Sequence, residues 1–321
     1  MRALITGIAG FAGSHLAEHL LTESDTEIWG VVRGEGWRIA HLEGPVTLRR
    51  GDLRDPQFCR RLLEEVRPQH LYHLAAQAFV PSSWVDPWGT LEANLRPQIN
   101  LLAAALELGL RPRALVLGSN EEYGAVRPEE LPIREETPLR PDSPYGVSKV
   151  AQDLLGLQYH LSHGLEIVRV RPFNHVGPGQ REHFVVPALA QQIAEIEAGL
   201  RPPVVRVGNL EAQRDFTDVR DMVRAYALAL TQGLPGEVYN IGSGVTRSIR
   251  QVLEALLAFS SARISIEVDP TRLRPSDVPV SVCDYNRFRE RTGWAPRIPW
   301  EQTLRDVLQE WRERVTQRER G

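Results

Sequence analysis

The opening stretch of the chain constrains its fold more than any other. Residues 2–6 read as a short buried strand, Gly7-Ile8-Ala9-Gly10-Phe11-Ala12-Gly13 as a glycine-rich turn, and residues 14–21 as a helix. Strand, glycine turn and helix in that order make a cradle for phosphate. The glycines let the backbone approach a pyrophosphate, and the helix N-terminus supplies N–H donors and a positive dipole end. The spacing is G-x-x-G-x-x-G rather than G-x-G-x-x-G, so a plain helix-start turn is the alternative.

Further strands are expected at residues 27–32, 46–50, 70–74, 113–117 and 165–170, with helices at 56–66 and 86–108 among them. This alternation predicts an α/β fold, a doubly wound parallel sheet of the Rossmann kind. Pro87 fits a first helical turn, whereas Pro97 is expected to kink its helix or divide it. Ligands reach such a sheet at the carboxyl ends of its strands. Arg33 follows the second strand, where an acidic side chain would bind a ribose diol and mark NAD. It points instead to a 2′-phosphate and NADP(H), with NAD(H) open if the side chain stacks on adenine or faces solvent. Asp52, followed by Leu53, either bonds the adenine amine or caps the helix at 56–66. Leu74, Ala75 and Ala76 close the fourth strand, and small residues there let the backbone run against a cofactor.

The fifth strand ends in Gly118-Ser119-Asn120-Glu121-Glu122, and a Pro- and Glu-rich loop over 125–143 leads to Tyr145-Gly146-Val147-Ser148-Lys149. On a helix this places phenol and ammonium one turn apart on one face. A cation there is expected to lower the Tyr145 pKa, so that the phenol exchanges a proton with a substrate oxygen near neutral pH. Tyr and Lys four apart are common on helices, but the chain has 38 Lys plus Arg and Lys149 is its one lysine. A site needing only positive charge would take Arg like the rest; an ammonium is a compact, titratable point charge. Ser119 is placed to hydrogen-bond the same substrate oxygen. Glu121 is either a base or a holder of a sugar hydroxyl.

The second half carries Arg171-Pro172-Phe173-Asn174-His175-Val176-Gly177-Pro178-Gly179-Gln180, a helix at 185–199 and a strand at 204–207. Gly208-Asn209-Leu210-Glu211-Ala212-Gln213-Arg214-Asp215-Phe216-Thr217-Asp218 follows, then a helix at 219–230 and a strand at 238–241 that return to the sheet. Arg181, Arg214 and Arg274 are candidate diphosphate clamps, since Arg bonds phosphate oxygens bidentately. Asn174 and Asn209 sit at element ends, to bond a ligand or cap a turn. Net charge −3 gives no reason to expect nucleic acid or an anionic membrane, and no apolar run of about 18 residues is present. Cys59 and Cys283 lie far apart and not at metal spacing, so no metal or disulfide is expected and a reducing cytoplasm is.

The glycine turn, Ser119 and the Tyr145/Lys149 pair in this order resemble the extended short-chain dehydrogenase/reductases, over essentially the whole chain. The resemblance implies a Ser119, Tyr145, Lys149 triad, with Lys149 also bonding the nicotinamide ribose. R-P-F-N-H-V-G-P-G-Q, G-N-L-E-A-Q-R-D-F-T-D-V-R-D and R-P-S-D-V-P resemble the branch acting on GDP-mannose derivatives, and within it the reductases that turn GDP-4-keto-6-deoxy-D-mannose into GDP-D-rhamnose. The sister dehydratases usually have Gln-Asp-Gly where Phe11-Ala12-Gly13 stands and Thr-Ser-Glu where Ser119-Asn120-Glu121 stands, and are longer. Glu121 holds the position of the dehydratase base. The resemblance implies a GDP-sugar substrate, with Asn120, Asn174, Arg181, Asn209, Arg214 and Arg274 on the substrate side. It implies a cofactor domain of 1–171 plus 218–242 and a substrate domain of 172–217 plus 243–321. It also implies a homodimer or homotetramer through helices 91–108 and 145–162, although core packing explains the same apolar faces. Dehydration, 4-epimerisation and binding without catalysis are the other readings; an intact Tyr–Lys pair has no purpose in a mere binder.

Overall fold

The computed structural model describes residues 1–23, 25–34, 37–42, 44–272 and 278–320, without the side chains of Trp37 and residues 318–320. Its elements run β1 (Arg2–Thr6), α1 (Phe11–Glu23), β2 (Glu27–Val32), β3 (Val46–Arg50), α2 (Pro56–Val66), β4 (His70–His73), α3 (Val80–Val85), α4 (Pro87–Glu107), β5 (Arg113–Leu117), α5 (Pro144–His163) and β6 (Ile167–Pro172). There follow β7 (Asn174–Val176), α6 (Val185–Glu197), β8 (Val204–Val207), β9 (Gln213–Asp218), α7 (Val219–Gln232) and β10 (Val238–Ile241). The chain ends with β11 (Thr246–Ser248), α8 (Ile249–Leu257), β12 (Ser265–Val268), β13 (Val280–Ser281), α9 (Asn286–Thr292) and α10 (Trp300–Arg320).

The large sheet has seven strands in the order β10-β6-β5-β4-β1-β2-β3, every pair parallel. Parallel strands need helical crossovers, so both faces are covered and the strands read as apolar runs. On one face Leu16, Ala17 and Leu20 of α1 join Met222, Ala225 and Ala229 of α7 over Ile5, Ile28 and Leu115. On the other, Leu62, Leu63 and Val66 of α2 and Leu101 and Ala105 of α4 pack over Leu4, Leu71 and Val116. Strand order reverses between β1 and β4, and a crevice for ligands opens at their carboxyl ends. A smaller sheet sets β9 between β11 and β13, with β7 also on β9, and β8 pairs β12. A separate core of Leu189, Ile193, Val205, Leu253, Leu308 and Trp311 joins α6, α8 and α10 to these strands.

Pro97 does not divide its helix: α4 is one helix with Pro97 buried inside. Interior proline costs about 3 kcal/mol, and packing of α4 along α2 and α5 outweighs it. The sixth strand lies two residues later than its pattern suggests, running through Arg169 and Arg171, both buried. Charged residues normally end a strand of this kind; here each has a buried carboxylate partner. Asp52 does not cap α2. Asp55 does, its carboxylate accepting from the Gln57 N–H at 2.9 Å. Among the described residues no helix is long and apolar enough to cross a membrane, and no cluster of His, Cys, Asp and Glu is placed to hold a metal.

Candidate active site

At the head of β1 the glycine turn packs backbone on backbone. Gly7 has φ +72°, and a Cβ there would lie 2.8 Å from Ala75 N. A Cβ on Gly13 would lie 2.1 Å from Gly7 O. Gly10 N–H donates to Gly7 O at 2.8 Å, closing the turn. The first-turn amides of Phe11, Ala12 and Gly13 have no acceptor within α1, and no acidic side chain stands there to repel an anion. The cradle therefore fits a dinucleotide pyrophosphate. Next to it, Thr6 Oγ1 accepts from Ala75 N–H at 3.2 Å and shares a hydrogen bond with His73 Nδ1, 2.9 Å away. The other ring nitrogen, Nε2, is buried without a partner among the described residues. Burial, then Lys149, pushes the His73 pKa down to about 3, so the ring is neutral. An orphaned polar atom at the end of β4 is what a cofactor-lining group looks like; one His among nine carried no sequence signal for it.

Of the other cofactor candidates, Arg33 is exposed at the end of β2 and Leu53 is buried. Asp52 is taken up by Arg54, whose Nη2 lies 2.6 Å away and whose backbone N–H donates at 2.9 Å. Leu74, Ala75 and Ala76 lie opposite the glycine turn at the switch in strand order.

Ser119 caps the 3-10 turn Asn120–Glu122 beyond β5, and Tyr145 opens α5 behind a Ser143 cap that accepts from Gly146 N–H at 3.0 Å. Both are 7% exposed, and the Ser119 hydroxyl hydrogen-bonds the phenol. Lys149 Nζ donates to Leu117 O and Gln152 Oε1, each at 2.9 Å. The expected lowering of Tyr145 by Lys149 is not what this geometry produces. Burial raises the phenol pKa above its ordinary value, the Ser119 hydrogen bond opposes this, and the charges of Glu121 and Glu122 raise it further. The ammonium sits 5.9 Å from the ring centroid with its hydrogens turned to a carbonyl and an amide. Burial also lowers Lys149 itself, to about 8, against an upward pull from Glu122.

Beneath these groups lies a buried ionic chain absent from the sequence reading. Arg171 Nε lies 2.9 Å from Glu122 Oε2, Arg171 Nη2 2.5 Å from Asp153 Oδ2, and Arg169 Nη1 3.0 Å from Asp153 Oδ1. Glu122 Oε1 accepts from Ser119 N–H at 2.7 Å, so the chain reaches the site. Burial, with Asp153 adding to it, raises the Glu122 pKa against the pull of Arg171. Its neighbour Glu121 is the half-buried carboxylate, close enough to act on Tyr145. Asn94 of α4 was also missed. Its amide donates to Ser148 Oγ at 2.8 Å and its oxygen accepts from Gln77 N–H at 2.7 Å, tying α5 to the loop after β4.

On the small sheet Ser281, Arg214 and Arg247 pair in register across β13, β9 and β11, so their side chains share a face. Asn120 Nδ2 reaches Ser281 Oγ at 3.4 Å, joining that row to the site. Arg214 donates to Val278 O at 2.6 Å. Arg247, not anticipated, stacks over Trp300 at 4.8 Å, and its Nη1 is buried without a partner among the described residues. Asn174 pairs in register with Phe216, its Oδ1 likewise buried and unpartnered. Arg181 is exposed at the end of the loop after β7. Asn209 accepts from Glu211 N–H at 2.9 Å and closes its own turn. Arg274 lies outside the described residues.

The family model described as GDP-mannose 4,6 dehydratase matches residues 4–307. A GDP-6-deoxy-D-mannose reductase of Pseudomonas aeruginosa is 36% identical over 314 residues, covering 98% of this chain and 98% of that protein. The structure of RMD from Pseudomonas aeruginosa complexed with NADPH superimposes with a TM-score of 0.87 at 35% identity, covering 98% of this chain and 99% of that one. A UDP-glucose 4-epimerase of Thermus thermophilus, in complex with NAD, gives 0.86 at 32% identity, covering 97% of this chain and 99% of that one.

Proposed function

The chain belongs to the GDP-mannose 4,6-dehydratase family, and we propose that within it the protein reduces the C4 keto group of GDP-4-keto-6-deoxy-D-mannose to GDP-D-rhamnose. The observation that carries this reading is the meeting of Ser119 and Tyr145, both buried, beside the ammonium of Lys149, which donates to Leu117 O at the end of β5. The likeness to a GDP-6-deoxy-D-mannose reductase supports it.

NADPH, when bound, supplies the hydride that C4 receives. The amides of Phe11, Ala12 and Gly13 hold its pyrophosphate, Leu74 to Ala76 and His73 line it, and Arg33 selects its 2′-phosphate, with NADH the alternative. Tyr145 is the proton donor. Its raised pKa keeps the phenol protonated at neutral pH, which suits an acid better than a base. Ser119 donates to the same developing alkoxide, and Lys149 stabilises the phenolate that remains. Proton donation and oxyanion stabilisation contribute about 10²–10³-fold each. Asn120, Asn174, Arg181, Arg214, Arg247 and Arg274 hold the GDP-sugar on residues 172–217 and 243–321, facing a cofactor domain of 1–171 plus 218–242. The protein works in a reducing cytoplasm with both cysteines as free thiols, and assembles as a dimer or tetramer through α4 and α5.

Dehydration of GDP-mannose is the second reading, favoured by the half-buried carboxylate of Glu121 standing near Tyr145. In it Glu121 removes the C5 proton, the C6 hydroxyl leaves as water, and the cofactor would be recycled with no net consumption. One assay separates the two. The purified protein receives GDP-mannose alone, then GDP-4-keto-6-deoxymannose with NADPH or NADH. Loss of nicotinamide absorbance with the keto sugar only is the expected result. A keto product from GDP-mannose without net cofactor use overturns the reductase reading.

A further inference from the structure

One turn into α1, beyond the amides of the phosphate cradle, His15 reaches across to the loop that follows β7. Its Nε2 lies 2.8 Å from Pro178 O and its Nδ1 3.2 Å from Glu18 Oε2. Both ring nitrogens face oxygens that carry no hydrogen. A neutral imidazole has one N–H to offer, so only the imidazolium fills both contacts. The side chain is 15% exposed. Burial is the largest influence on it and disfavours the charge, but Glu18, the Pro178 carbonyl and Asp218 together outweigh burial and raise its pKa.

The loop that His15 grips is held from two further sides. Arg38 donates to Gly179 O, and Glu310 of α10 accepts from Gly179 N–H at 2.7 Å. Gly179 has φ +87°, and a Cβ there would meet Arg38 and then His15. Phe11, within the glycine turn, lies flat on His175 of β7 with ring centroids 5.8 Å apart and planes 3° from parallel. Gln180 Nε2 ties back to His175 O at 3.0 Å. Arg181, a candidate diphosphate clamp, comes next in the chain. One short path therefore runs from the pyrophosphate cradle through His15 to the substrate loop.

We infer that His15, as the imidazolium, is a positioning residue that makes the cofactor and GDP-sugar sites bind cooperatively. The inference rests on the reductase reading of the substrate site. A ligand on the first turn of α1 fixes the position of the helix start, His15 passes that position to Pro178 and Gly179, and the loop so placed presents Arg181. Both ligands then favour the one arrangement of helix and loop that His15 holds together, so each raises the affinity for the other. The charged groups around His15 are Glu18, which also meets His41 Nε2 at 2.8 Å, Asp218 at the end of β9, and Arg38 and Glu310 flanking the loop; His175 is the remaining titratable neighbour.

The test is calorimetric titration of GDP into the whole protein, with and without saturating NADPH, at about pH 6 and about pH 9, either side of the histidine range. In the wild type NADPH tightens GDP binding about fivefold or more at the lower pH, and the effect shrinks at the higher pH. In His15→Leu the effect vanishes at both, while NADPH affinity holds. In His15→Gln, whose amide donates to Pro178 O without titrating, the effect survives and no longer varies with pH. A residue of merely structural importance would lower both affinities and leave their ratio alone. An unchanged ratio in His15→Leu, or no coupling in the wild type, overturns the inference and leaves the reductase reading intact. Should His15→Leu fail to fold, a pH-dependent ratio in His15→Gln overturns it equally. Absence of GDP binding by the wild type overturns both.

Discussion

Lys149 is the one lysine of the chain, and its surroundings explain why an arginine does not replace it. The ammonium fits between Leu117 O and Gln152 Oε1 in a space closed to solvent. A guanidinium is larger, holds its proton at all working pH values and presents a fixed fork. Lys149→Arg is therefore expected to lower kcat about 10²-fold or more, measured by nicotinamide absorbance with the keto sugar. Tyr145→Phe removes the donated proton and should abolish turnover while NADPH affinity, read by fluorescence titration, stays nearly the same. The pH dependence has a definite sign. Burial holds Lys149 below its usual range, at about 8, so its charge is complete below that pH and lost as pH rises through it. In the reductase, kcat/KM should fall above about pH 8, since that ratio reports groups of the free enzyme. A profile flat to about pH 10 would remove Lys149 from the protonic role.

β6 shows how an element is decided by its neighbours. Its arginines look like an exit from the sheet, yet Asp153 on α5 meets both, and Glu122 meets one, inside the core. The chain of charges clamps β6, the Ser119 turn and the Tyr145 helix to each other. Taking away one member of such a group leaves uncompensated buried charge at a cost of about 3–5 kcal/mol. Asp153→Asn should lower the urea midpoint accordingly, with turnover falling in step because Ser119 and Tyr145 lose their common support. The glycine turn makes the complementary case, where the element is decided by space. A Cβ on Gly13 would overlap Gly7 O at 2.1 Å. Gly13→Ala should cost NADPH affinity at least about tenfold, or about 1.4 kcal/mol.

Across the whole molecule, α4 and α5 leave Ile99, Val147, Leu154 and Leu161 exposed, the last by 72%. If these helices form the subunit interface, Leu161→Glu converts the assembly to monomers in light scattering; an unchanged mass assigns the apolar face to other use. The strands of the large sheet other than β6, the glycine turn and the Tyr145–Lys149 spacing were readable from residue order, because each depends on neighbours within a strand or a helical turn. The lean to Glu121 as the carboxylate of interest missed buried Glu122, since adjacent residues of one type differ only in where the turn points them. Asn94, Arg247, His73 and His15 were missed because each acts through a distant partner: Asn94 lies 54 positions from Ser148, and His15 163 from Pro178. The protonation of Tyr145 was mistaken for the same reason. Spacing alone brings a cation near the phenol, but folding sets how deeply the phenol is buried and where the ammonium turns its hydrogens, and there desolvation and the neighbouring glutamates both raise the phenol pKa.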